Sequence, residues 1–95
     1  MQIKKFTCYE EVRQKILLKH SVLTEELDEV FRSKPKYLFV KRGVVRKNED
    51  LYSAIGRTEA GRLIIIFFII KSRGEALILS ARDATRKERK KYERK

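Results

Sequence analysis

Eight consecutive apolar residues, LIIIFFII at 63–70, constrain this chain more than any other feature. A helix that spans a membrane needs about 20 such residues, so the run is not a membrane segment. Along a strand, side chains alternate between two faces. Bulk at consecutive positions therefore demands cover on both faces, and the run is predicted to be the central strand of a sheet.

Its neighbours supply the rest of that sheet. KYLFV (36–40) reads as one strand and DLYSAIGRT (50–58) as a second, separated by Gly43 and the RKNED stretch,. TEAG turns directly into the central strand, here taken as 62–70, and KSRGE (71–75) leads into a last strand, ALILSARD (76–83). Short links of this kind imply an antiparallel meander of about four strands. Strict alternation in the last strand sets Leu77, Leu79 and Ala81 on one face and Ile78, Ser80 and Arg82 on the other,.

Helices precede the sheet. YEEVRQKILLKH (9–20) spaces Val12, Ile16 and Leu17 helically, with acids in the first turn and Lys19 and His20 in the last, as the macrodipole favours,. Thr24 is a candidate N-cap for a second helix carrying Leu27, Val30 and Phe31, which SKP ends because Pro35 disfavours α geometry before it,. The two form a helical hairpin whose apolar stripes need a surface to cover. At the other end of the chain, Thr85 and Glu88 make a T-x-x-E capping box that starts a short basic helix near Arg86 and carries it to about Glu93 or Arg94,. Its only inward stripe is Ala84, Glu88 and Tyr92, and so short a helix must be held by docking on the sheet,. The fold class is α+β, one small domain over 1–95,.

Charge is distributed unevenly. Residues 1–33 carry six Lys/Arg against six Asp/Glu, and 48–81 carry four against four. The net charge of +11 comes from 34–47, with six cations and no acid (+6), and from 82–95, with eight against three (+5). Two concentrated cationic segments are the footprint of a polyanionic partner. One cysteine and one histidine cannot supply the three or four soft ligands of structural zinc, and no cofactor motif is present,. The N-terminal MQIKKFTCYEE has no apolar core of a secretory signal, and the expected location is the cytoplasm,.

Three motifs carry a resemblance: Lys19-His20; Gly56-Arg57-Thr58 with Gly61-Arg62; and Ser80-Ala81-Arg82 with Ala84, Glu88, Arg89 and Tyr92. In this order and spacing the chain resembles the BrnT family of bacterial type II toxins, from about Glu10 to Glu93. The resemblance implies a RelE-like fold, metal-independent cutting of RNA that inhibits translation, and a cognate antitoxin. That antitoxin is expected to be a ribbon-helix-helix protein through whose complex operator DNA is bound. Two positions depart from the family pattern: Ser21 stands where many members have glycine, and Leu51 where many have arginine.

Cleaving RNA without a metal requires a base for the 2′-hydroxyl, an acid for the leaving oxygen and cations for the charge on phosphorus. The candidate catalytic residues are His20, Arg57, Arg82, Glu88 and Tyr92. Histidine ordinarily titrates at about 6.5, which suits proton transfer, though a histidine ending a helix also serves as a C-terminal cap. Arg57 and Arg82, from the ends of two strands, are placed to hold one phosphate. Glu88, on an inward stripe, needs Arg57 or Arg82 as a partner or else acts as a base, and Tyr92 beside it either packs or moves a proton. Lys19, Lys41, Arg42, Arg46, Arg62, Arg86 and Arg89 are the candidate RNA-binding residues, while Tyr37 and Tyr52 either stack on bases or pack in the sheet,. The competing reading is a basic nucleic-acid-binding module without turnover, such as a decayed toxin.

Overall fold

The computed structural model describes residues 1–43 and 49–94. Arg46, one of the expected RNA-binding residues, lies outside the described residues. The elements run β1 (Lys5–Thr7), α1 (Glu10–His20), α2 (Thr24–Arg32), β2 (Lys36–Lys41), β3 (Leu51–Arg57), β4 (Leu63–Ser72), β5 (Glu75–Asp83) and α3 (Arg86–Glu93). No helix among them is long and apolar enough to cross a membrane.

The sheet is mixed and five-stranded, in the order β1-β5-β4-β3-β2. β2 to β5 form the expected antiparallel meander, but β1 adds a fifth strand parallel to β5, with Phe6 opposite Ala76. Its three residues are too few to show a period, and the pairing that makes them a strand lies some seventy positions away,. β4 sits at the centre, as its composition demands.

The two faces of β4 meet different covers. Ile64, Ile66 and Phe68 face the helical hairpin and join Ile16, Val22, Leu27 and Val30 in the main core. α1 lies over β5 and α2 over β3. On the opposite face Ile55, Leu63 and Ile65 form a smaller core, against which Ala84 and Tyr92 of the α3 segment pack. The result is three layers, with the hairpin on one side and one short helix on the other.

Strict alternation fails in β5. Phe67 and Phe68 are consecutive on β4 yet pair with Ser80 and Ile78, so Leu79 is an extra residue, a β-bulge, and is exposed,. Ile78 and Ala81 consequently share the hairpin core, while Ser80 and Arg82, opposite Phe67 and Ile65, face α3. The bulge lets one strand fill the main core at Ile78 and still aim Arg82 at the other layer.

Local chemistry sets the helix ends. Leu23 occupies the N-cap position of α2 in place of Thr24, which is already helical; the Glu26 carboxylate accepts from the Leu23 N–H at 2.9 Å. α2 seats on β3 at Gly56, where an added Cβ would lie 2.8 Å from Ser33 Oγ and 3.1 Å from both Pro35 and Val30. α1 ends in a Schellman turn: Ser21 N–H donates to Leu17 O at 3.0 Å and Val22 N–H to Ile16 O at 3.1 Å, with Ser21 left-handed at φ 53°,. Ser21 thus holds under strain a conformation that glycine adopts freely,. Ser21→Gly is expected to raise stability by about 1 kcal/mol in urea unfolding.

Candidate active site

The end of β5 places two charged residues on opposite faces of the sheet. Arg82 pairs across from Ile65 on the α3 face, and Asp83 across from Ile64 on the hairpin face. Each organises one half of the candidate site.

On the α3 face, Arg82 donates from Nη1 and Nη2 to the two oxygens of Glu88 at 2.8 and 2.9 Å, a bidentate pair,. Glu88 is also the capping-box residue. Its Oε1 accepts from Thr85 N–H at 2.8 Å, and its own N–H donates to Thr85 Oγ1 at 3.1 Å. One carboxylate therefore starts α3 and ties it to β5. The Arg82 guanidinium bonded to it, with the Thr85 donors, outweighs burial and brings the Glu88 pKa from the ordinary 4.5 down to about 2,. Arg82 itself lies over the Phe67 ring, 5.3 Å from its centre,. The far end of α3 is clasped by Arg57, 3.5 Å from Glu93, and by Lys36, whose Nζ donates to the carbonyls of Lys91 and Arg94 at 3.0 and 3.3 Å,. Between α3 and β2 a groove of about 310 Å³ opens, lined among others by Leu38, Ile55, Phe67, Glu88 and Tyr92.

On the hairpin face, Arg62 is the organiser. Its guanidinium donates to His20 O and Ser21 O, both at 2.7 Å, to Glu26 at 3.1 Å and to Asp83 at 2.7 Å. The backbone N–H of Arg62 reaches Thr58 Oγ1 at 3.1 Å, closing the β3–β4 turn in which Gly61 is left-handed at φ 90°. The hydrogen bond from Arg62 holds the Asp83 carboxyl below its usual range, with the Arg62 and His20 charges assisting. An arginine expected to meet RNA is thus committed to two carbonyls and two carboxylates that fix the α1–α2 corner.

Among the catalytic candidates, the structure gathers Arg57, Arg82, Glu88 and Tyr92 around α3. It sets His20 at the other side of the β5 end, beside the Arg62–Asp83 pair. Of the cationic candidates, Lys19, Lys41, Arg42, Arg86 and Arg89 are exposed. Tyr37 and Tyr52 pack on Phe68, with ring centres at 6.2 and 6.0 Å, and flank the main core. In the sequence Glu26 looks like a helix-start charge and Asp83 like a second, weaker helix-start signal with Ser80, and neither shows a pairing with Arg62. Their role follows from Arg62, which reaches both across the fold.

These features carry the comparisons with known proteins. The sequence model of the ribonuclease toxin BrnT, of type II toxin-antitoxin systems, matches residues 9–88. The chain belongs to the BrnT family. Among solved structures it is similar to the Brucella abortus ribonuclease toxin BrnT, at 22% identity and a TM-score of 0.63, over 86% of this chain and 97% of that one. That likeness shows a shared fold. No curated protein matches the chain. The residues that carried the resemblance now have physical readings: Gly56 admits α2, Thr58 and Gly61 shape the turn that presents Arg62, and Ala84, Glu88 and Tyr92 dock α3.

The depressed Glu88 pKa gives a signed pH dependence. The ionised carboxylate stabilises the fold fully above the unfolded value of about 4.5, and that contribution is lost as pH falls toward about 2,. Acid unfolding followed by circular dichroism should show a loss of stability across that window. In Glu88→Gln the loss should flatten, and stability at neutral pH should fall by about 1–3 kcal/mol.

Proposed function

We propose that this BrnT-family chain is a metal-independent endoribonuclease that cleaves RNA and thereby inhibits translation, working at the surface between β5 and α3. The observation that carries the reading is the Arg82–Glu88 pair. A carboxylate with a pKa of about 2 stays ionised at neutral pH and holds the guanidinium in one orientation, and Glu88 itself lines the groove beside a strongly cationic helix. Glu88 in this setting is a poor proton acceptor; it positions Arg82.

In the proposed reaction the ribose 2′-oxygen attacks the adjacent phosphorus and the P–O5′ bond breaks, leaving a 2′,3′-cyclic phosphate and a 5′-hydroxyl. Arg82, with Arg57, neutralises charge on the phosphoryl oxygens. The proton lost from the 2′-hydroxyl goes to a base, and one is returned to the leaving 5′-oxygen. Tyr92 on α3 and His20 across the strand end are the two candidates for these transfers, and Tyr92→Phe and His20→Ala separate them. Lys19, Lys41, Arg42, Arg46, Arg86 and Arg89 hold the phosphate backbone, whereas Arg62 is a structural clamp.

The kinship with RelE-like ribonucleases, the cytoplasmic location and a ribbon-helix-helix antitoxin whose complex binds operator DNA belong to the same proposal. The family description supports an antitoxin partner. Incubation with defined RNA in EDTA, with and without ribosomes, tests the chemistry. Cuts ending in cyclic phosphate are expected, and Arg82→Ala should slow them about 10²–10³-fold. Salt-sensitive RNA binding with no cleavage by the wild type in either setting would leave a binding module without turnover.

A further inference from the structure

The sheet has two edges, and they differ. β1 is three residues long and presents Lys5 and Thr7 outward, the usual way of blunting an edge,. β2 is six residues long, pairs only with β3 among the described residues, and exposes three consecutive apolar side chains: Leu38 at 39%, Phe39 at 58% and Val40 at 42%. Val40 is an extra residue between the Phe39 and Lys41 pairings, which bends the strand,. An unpaired edge with an apolar row is a template for another strand.

Charge selects the occupant. Lys34, Lys36, Lys41 and Arg42 flank the apolar row, and Lys41 and Arg42 have no carboxylate partner among the described residues. A second copy is a poor fit. Two β2 strands paired antiparallel about Leu38 and Phe39 would set Lys36 opposite Lys41 twice, between molecules of net charge +11 each,. An acidic strand has the opposite sign. The adjoining groove is lined by Leu38, Val40, Ile55 and Ile65 together with the Phe39 and Phe67 rings, and the Arg82 guanidinium lies 5.3 Å from the Phe67 ring centre. An apolar pocket beside a backbone edge left unpaired among the described residues matches a peptide, which offers both amides and apolar side chains.

We infer that the free edge of β2 is a strand-addition site for an extended, acidic segment of the antitoxin, which pairs with Lys36–Lys41 as a sixth strand and seats an apolar side chain in the groove beside α3. This rests on the toxin-antitoxin reading and adds to it the surface and the mode of inhibition. The groove is shared with Glu88, Lys91 and Tyr92, so a segment lying in it occupies the ground RNA would need next to Arg82.

Hydrogen exchange on the full chain, alone and in complex with its antitoxin, tests the inference. Exchange at the β2 amides should slow at least about tenfold in the complex. The double variant Phe39→Asp, Val40→Asp should weaken antitoxin binding about tenfold to a hundredfold, the range for lost interface anchors. Leu18→Asp, on an exposed face of α1, should bind as the wild type does. A complex that forms while β2 exchanges unchanged would overturn the strand-addition site and leave the toxin-antitoxin reading intact; failure to form any complex would sink both. Protection of β2 by a short single-stranded RNA in place of the antitoxin, or by self-association of the chain alone, would equally overturn it.

Discussion

The molecule is organised by the need to cover both faces of β4 with too little apolar material. One face is met amply: α1 and α2 bring Ile16, Val22, Leu27 and Val30 into a core around Ile64, Ile66 and Phe68. The other receives only Ala84 and Tyr92, because the α3 segment consists mostly of cations. Burial of so little apolar area cannot by itself hold an eight-residue helix,. Electrostatics complete the attachment, through Glu88 to Arg82, Glu93 to Arg57 and the helix carbonyls to Lys36. The incomplete cover also leaves the groove between α3 and β2. The shortage of apolar cover and the candidate active site are two consequences of one arrangement.

The end of β5 transmits that arrangement to both layers. Arg82 and Asp83 are consecutive and so point to opposite faces; one ties down α3 and the other joins Arg62 in closing the hairpin corner at His20 and Ser21. The cost of ordering these long side chains is met by bidentate or multiple hydrogen bonds, with Arg62, Arg82, Glu26 and Glu88 half-buried and Asp83 exposed,. Cations left outside these pairs, Arg86 and Arg89 on α3 and Lys41 and Arg42 at the end of β2, are exposed and available to a polyanion. The surplus charge is thus divided between fastening the fold and presenting a surface.

How much of this was legible depended on whether the signal was local. The β2–β5 meander followed from runs of strand-forming residues between turns, α1 from a helical spacing, and α3 from the Thr85–Glu88 box, which forms as the pattern implies. β1 was not legible, since its pairing with β5 joins the two ends of the chain. The bulge at Leu79 was equally hidden, because leucine offers no sign that a residue will be left out of a ladder. Thr24 illustrates a subtler failure: its own side chain suggested a cap, yet the Glu26 carboxylate satisfied the backbone one residue earlier.

The candidate site divides along the same line. The sequence by itself determined the chemistry available: arginines at strand ends, a glutamate on an inward stripe, one histidine at a helix end, and the family motifs that join them. It also determined that the charge surplus lies in two segments. Only the tertiary structure decided that Glu88 takes Arg82 and not Arg57, that Arg62 serves the fold, that His20 stands across the strand end from α3, and that β2 keeps an apolar edge unpaired among the described residues. The physical reason is that residue type and local spacing settle which groups are present and which way they lean. Pairing across a sheet depends on register, and register here is set by bulges and by strands that meet from distant parts of the chain,.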